Sequence, residues 1–368
     1  TYSQTLVLTP SGGNFSNVPV FIKYFGTGAY TPATLLITAS GISLSPFTVA
    51  GIKISTVTGA PAYTLQVLHA SDFEAGLAAL SNAPRFAAIW DKFEDDYANT
   101  LRVSGGDNYL PSPFFNAAAD AALRPTFASV NGLNFSNFAQ TANFREGIGR
   151  ADINIMNILD LHASAIGNHE FDAGTGTFLE MIGVGFNDLT NPTQVRWLGT
   201  QFPYLSANLD FSGDANLNPL FTPEIRPASS YKLPVTQSAV TNLSLEQRKK
   251  IAPATVVTIG GEVIGIVGAT TQVVQSISST GGVRVIGTTT DNMQLLATQL
   301  QPVIDRLRAS GINKIVVLSH LQQIQNEKAL APLLSGADII VAAGSHTLMA
   351  DDNDVLEGYT KQDNYPYV

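Results

Sequence analysis

From residue 63 onward the chain alternates short apolar runs of strand length with stretches of helical periodicity, and polar clusters follow the apolar runs. Strand-length runs occur at 65–69, 100–103, 163–166, 263–268, 314–318 and 339–342. Between them, residues 84–97 place Phe86, Ile89, Trp90 and Phe93 at helical spacing, and 152–161 forms a second helical stretch. Strand alternating with helix predicts a layered α/β fold with mixed or parallel β-sheets flanked by helices. In open sheets of this kind ligands bind beyond the carboxyl ends of the strands, where the polar clusters fall here.

Residues 1–60 read differently. Lys23 and Lys53 are their only charged side chains, and short Val, Ile, Thr and Phe segments, at 18–24 and 34–39 for example, are punctuated by Gly, Pro and Ser. The expectation is a small N-terminal β-rich segment, 1–60, preceding a main domain over 61–368. The segment suits attachment or self-assembly. Residues 210–250, rich in Asn, Pro, Ser and Thr, read as a surface insertion.

Composition removes several function classes. The chain has no cysteine among its 368 residues, which excludes disulfides, thiolate zinc sites and cysteine nucleophiles. Its net charge is −9, so no broad basic face invites a nucleic acid. No apolar run approaches the roughly 20 residues of a membrane span. Charged residues are only 13% of the chain, about half the usual share of about 25%, and such surfaces are common on exported proteins.

Five clusters put oxygen or imidazole groups where strands stop. They are His69-Ala70-Ser71-Asp72-Phe73-Glu74, Ser104-Gly105-Gly106-Asp107-Asn108, Gly167-Asn168-His169-Glu170-Phe171-Asp172, Leu318-Ser319-His320 and Gly344-Ser345-His346. A lone Asp after a strand is more often a helix cap or turn residue. Five such clusters in one α/β domain point instead to a shared site.

These motifs resemble the calcineurin-like metallophosphoesterases, and within them the secreted and periplasmic 5'-nucleotidase family. The resemblance runs from about Tyr63 to the end, and Gly167-Asn168-His169-Glu170-Phe171-Asp172 is its most specific element. The stretch at 202–209 and the hairpin-like 257–271 support it. It implies two divalent metal ions (Mn, Ca, Mg or Zn) bridged by Asp107. Asp72 and His346 would serve the first ion, and Asn168 and His320 the second. His169 would stabilise the transferring phosphoryl group, with Asp172 orienting it, in the hydrolysis of nucleotides or other small phosphate esters. It further implies a secreted, periplasmic or cell-surface location, and a C-terminal substrate domain that 1–368 does not include.

Two positions depart from the family pattern. Asp72-Phe73-Glu74 has Glu74 where the family has His, and Ala343-Gly344-Ser345-His346 has Gly344 where it has a second His. Glu74 is either an oxygen ligand that hardens the first site or a solvated carboxylate. Gly344 offers no side chain, which leaves the second ion with Asp107, Asn168 and His320, plus water or a residue that the motifs do not identify. The alternative to an enzyme is a surface or filament-forming structural protein that keeps the fold around a decayed centre. His69 and His162 read as structural histidines, and Glu170 and Phe171 as packing and loop-orienting residues.

Overall fold

The computed structural model describes residues 63–73, 76–134, 143–188, 190, 193–234, 240–356 and 358–365, with short strand pieces at 34–35 and 47–48. The chain divides into two compact units, 1–63 and 64–368. In the first, Thr34–Leu35 pairs antiparallel with Phe47–Thr48. Of the segments expected at 18–24 and 34–39, only Thr34–Leu35 falls among the described residues.

Two five-stranded sheets form the centre of the second unit, beside short two-stranded pairs among the described residues. In chain order the strands of the two sheets are β1 (Gln66–Ala70), β2 (Thr100–Ser104), β3 (Ala163–Ala165), β4 (Tyr204–Leu205), β5 (Arg226–Pro227), β6 (Ile251–Ala252), β7 (Ala254–Ile259), β8 (Glu262–Thr270), β9 (Ile315–His320) and β10 (Ile339–Ala343). One sheet runs β6-β4-β3-β2-β1 and is parallel throughout. The other runs β5-β7-β8-β9-β10, parallel except for the β7–β8 hairpin. β9 is buried along its whole length, as expected of a strand covered on both faces.

The sheets stack face to face. Leu101, Val103, Ala165 and Leu205 of one share a buried cluster with Ile264, Ile266, Val316 and Leu318 of the other. Helices cover both outer faces. Trp90 of α1 (Ala79–Glu94), Ile153 and Met156 of α2 (Arg150–Ile158) and Phe178 and Met181 of α3 (Gly174–Ile182) pack on the first sheet. Leu296, Leu300, Ile304 and Leu307 of α4 (Met293–Ala309) and Leu330 of α5 (Ile324–Leu330) pack on the second. α4 shows why such segments are helical: Asn292 caps its first turn by accepting from the Leu295 N–H, its buried residues recur at three and four, and Arg306 and Arg308 close its last turn. The result is the layered α/β architecture expected from the sequence.

Two expectations need correction. α1 begins at Ala79, and Pro84, expected near its start, lies inside it, so the helix runs without one N–H donor. Residues 210–250 are not a surface insertion: Phe211, Leu217 and Leu220 belong to the main core, and Lys250 is fully buried. Its ammonium donates to the carbonyl oxygens of Thr200 and Tyr231, and burial lowers its pKa to about 7. Apolar residues spaced among Asn and Pro leave no periodic trace.

Register sets the strand ends level. Ala70 pairs with Ser104 and Ser104 with Ser164, while Thr270, His320 and Ala343 lie abreast in the other sheet. Close approach of the sheets requires glycine at Gly268, where a Cβ would fall 2.2 Å from the Leu205 carbonyl oxygen. Gly268→Ala is therefore expected to lower stability by about 1–3 kcal/mol in urea unfolding. Gly176→Ala is the control, because an added Cβ within α3 meets nothing nearer than 3.7 Å.

Candidate metal centre

Four loops and one strand end converge at the level edge. Asp72 follows β1, Asp107 follows β2, Asn168 and His169 follow β3, His320 ends β9, and His346 follows β10. The loops after β1 and β2 are tied together, since the Asp72 N–H donates to Gly106 O at 3.1 Å and the Phe73 N–H to Asp107 O at 2.8 Å. The loop after β3 comes so near that a Cβ on Gly167 would lie 2.2 Å from Asp107 Oδ1.

The structure brings Asp72, Asp107 and His320 together, with one ligand-type atom of each within 4.8 Å of the others. His320 Nε2 is 2.8 Å from Asp107 Oδ2, without the alignment a hydrogen bond needs. His346 Nε2 lies 3.3 Å from Asp72 Oδ1, which likewise has no hydrogen-bond partner. The Nδ1 of His320 is 2.9 Å from Gly105 O, a group that only accepts, so Nδ1 carries the proton and Nε2 is turned to the centre. Two buried ligand atoms without partners, beside two carboxylates, fit a divalent cation by geometry and by donor type. Burial pulls the His320 pKa down, but the adjoining Asp107 outweighs it and carries the pKa up to about 9. The point between them suits a proton or a cation.

His169 stands at the rim. Its backbone N–H donates to Asp107 Oδ1 at 2.8 Å, its Nε2 is 4.0 Å from Asp107 Oδ2, and its Nδ1 is 2.5 Å from Asp172 Oδ2. Ser278 Oγ donates to the other Asp172 oxygen at 2.7 Å, which holds that carboxylate in place. Asn168 is buried, with its Oδ1 accepting from the Gln322 amide. Glu74 lies outside the described residues. Gly344 has a φ of 82°, and a Cβ on it would fall 2.6 Å from His320 Nε2.

Among the described residues five non-glycine positions have positive φ, and four belong to this site: Asp72, Asp107, Gln322 and His346. Such backbone is costly for residues with a Cβ and clusters where function over-determines geometry. His162 stands apart from the convergence, whereas His69 adjoins it: a Cβ on Gly105 would fall 2.8 Å from His69 Nε2, and the charges of Asp72 and His320 act on the His69 ring. His69 is held down at about 4 by burial, and His162 is too, with Arg102 adding to the effect; the Arg102 N–H donates to His162 Nδ1.

No family model matches the chain. The chain is 26% identical to the 5'-nucleotidase of Diplobatis ommata over 312 residues, covering 80% of this chain and 40% of that protein. It is 26% identical to the 5'-nucleotidase of Homo sapiens over 339 residues, covering 88% and 43%. The crystal structure of a 5'-nucleotidase precursor from Thermus thermophilus superposes with a TM-score of 0.54 at 27% identity, over 83% of this chain and 46% of that one. Over most of its length the chain is similar in sequence and in fold to the 5'-nucleotidases. It spans about two fifths of the length of these curated 5'-nucleotidase relatives.

Within this centre, one motif residue does more than the sequence shows. The Glu170 carboxylate accepts the backbone N–H groups of Asp107 and Asn108 at 2.9 Å each and of Gly167 at 2.7 Å. Burial, with the charge of Asp107 adding to it, raises its pKa. The motif identified Glu170 as loop-orienting, but its three donors come from two loops distant in sequence. Asn108 braces the same loops, accepting from Ser104 Oγ and donating to Ser164 Oγ and Tyr204 Oη. Glu170→Gln places an amide N–H against backbone N–H groups. It is expected to cost about 1–3 kcal/mol, read from urea unfolding of parent and variant.

Proposed function

We propose that this chain hydrolyses small phosphate esters, nucleotides foremost, with divalent cations at the strand-end centre and outside the cytoplasm. The observation that carries the reading is the convergence of Asp72, Asp107 and His320 beside the His169–Asp172 pair. In this reading Asp107 would contribute to both cations, with Asp72, His346 and Glu74 holding the first and Asn168 and His320 the second. Bound there, divalent cations make a water nucleophilic near neutral pH and offset phosphoryl charge. Oxygen-rich donors favour Mn, Mg or Ca over Zn.

The remaining chemistry belongs to side chains. Asp172 accepts from Nδ1–H of His169, which fixes the ring and its orientation. The Nε2–H then faces the centre and donates to a phosphoryl oxygen, and its proton passes to the leaving alkoxide. Ser278 keeps Asp172 from turning away. A phosphate ester small enough to enter between these loops needs no broad basic surface, in keeping with the net charge of −9.

The filament-forming alternative has no support from the relatives named above, which are enzymes by name. The attachment or self-assembly role proposed for residues 1–60 rests on their sequence alone. Export is likewise a proposal, supported by the sparse surface charge. Among the described residues no helix is long and apolar enough to cross a membrane.

The reading is tested with p-nitrophenyl phosphate and AMP in the presence of Mn, Mg, Ca or Zn, with and without chelator. Chelator-sensitive hydrolysis is expected, and absence of turnover with all four ions overturns the assignment. His169→Ala is expected to lower kcat by about 100-fold or more while bound metal, measured by elemental analysis, stays as in the parent. Equal turnover by parent and variant would remove His169 from the chemistry.

A further inference from the structure

The proposed second cation position is short of a donor. Asp107 Oδ2, His320 Nε2 and Asn168 Oδ1 serve it, and position 344 contributes no side chain. The space beside Gly344 is filled from elsewhere: a Cβ there would lie 3.2 Å from Gln322 Nε2. The same amide is in hydrogen-bond contact with Asn168 Oδ1. Gln322 also holds a φ of 68°, in the left-handed region that disfavours a residue with a Cβ.

We propose that Gln322 is a ligand of the second cation, its amide oxygen standing in for the imidazole that Gly344 lacks. The inference rests on the metallophosphoesterase reading and adds a residue to its site. The end of a glutamine side chain is nearly symmetric in shape, and a half-turn about its last bond exchanges Nε2 with Oε1. With Asn168 Oδ1 free to accept, the nitrogen faces it and donates. With a cation on Asn168 Oδ1, the half-turn presents oxygen to the same point. Loop geometry accounts for the choice of residue, because Gln322 lies two residues beyond His320 and its positive φ turns the chain back toward that ligand.

The two positions exclude each other. A side chain on Gly344 would press on His320 Nε2 at 2.6 Å and would crowd Gln322. An imidazole at 344 and an amide from 322 compete for one volume, and this chain uses the amide. The second site then offers three oxygens and one nitrogen, from Asp107, Asn168, Gln322 and His320. Such a set favours a hard ion over Zn.

The test is calorimetric titration of Mn into the parent chain, Gln322→Gly and Gln322→Glu, with bound Mn counted after gel filtration and folding checked by circular dichroism. Gln322→Gly removes the amide and relieves the positive φ, so it folds at least as well as the parent. The parent is expected to take up two Mn. Gln322→Gly is expected to keep the first and to bind the second about 10- to 100-fold more weakly, while Gln322→Glu, which retains an oxygen, holds it at least as tightly as the parent. Two Mn bound alike by parent and Gln322→Gly overturns the ligand role and leaves the phosphoesterase reading standing. No Mn bound by the parent overturns both.

Discussion

The buried carboxylate of Glu170 is the contact on which the centre depends. Its two oxygens take up three backbone N–H groups from the loops after β2 and β3, and no strand pairing could serve those groups. Burying a carboxylate is costly unless its lone pairs are satisfied. Here the satisfying donors are the peptide groups that set where Asp107, Asn168 and His169 stand. The Asp107 N–H donates to Glu170, Asp107 Oδ1 accepts from the His169 N–H, and Asp107 Oδ2 meets His320. A chain of contacts therefore runs from one side chain through both sheets.

Much of this was legible in the sequence, because strand ends and oxygen or imidazole residues coincide. The six apolar runs named at the outset each overlap an observed strand, and the Asp72, Asp107, Asn168-His169 and His320 clusters each lie at the carboxyl end of one. The structure gathers Asp72, Asp107 and His320 as a single group of ligand atoms. Gln322 was not legible. A glutamine two residues past a strand carries no chemical signal, and its approach to Asn168 depends on a positive φ and on a glycine 22 positions later in the chain. The core role of 210–250 was hidden for a related reason: Phe211, Leu217 and Leu220 reach the core from irregular backbone, where no period marks a buried face.

The departures at 74 and 344 bear on the kind of ion as well as on the number of ligands. In the proposed centre, an amide from 322 in place of an imidazole at 344 moves the donor set toward oxygen, and Glu74 as a proposed ligand moves the first site the same way. Hard donors hold ions that keep water and tolerate variable coordination. Substitution at both positions in the same sense is coherent with a change of preferred ion.

Stability gives a separate argument about whether such a centre is kept for use. Positive φ at Asp72, Asp107, Gln322 and His346 costs on the order of 1–3 kcal/mol each, and burying Asp72 Oδ1 and His320 Nε2 with only ionic contacts and no hydrogen bond adds desolvation to that. Apolar replacements of similar volume at buried charged positions are often neutral or stabilising. A centre under no functional constraint has an easy route downhill, through any of these residues singly. The chain instead retains the strained backbone, the paired carboxylates and the His169–Asp172–Ser278 relay together. A bound cation offsets these costs by mass action on the folded state, which makes strain at the ligands and affinity for the ion two sides of one requirement.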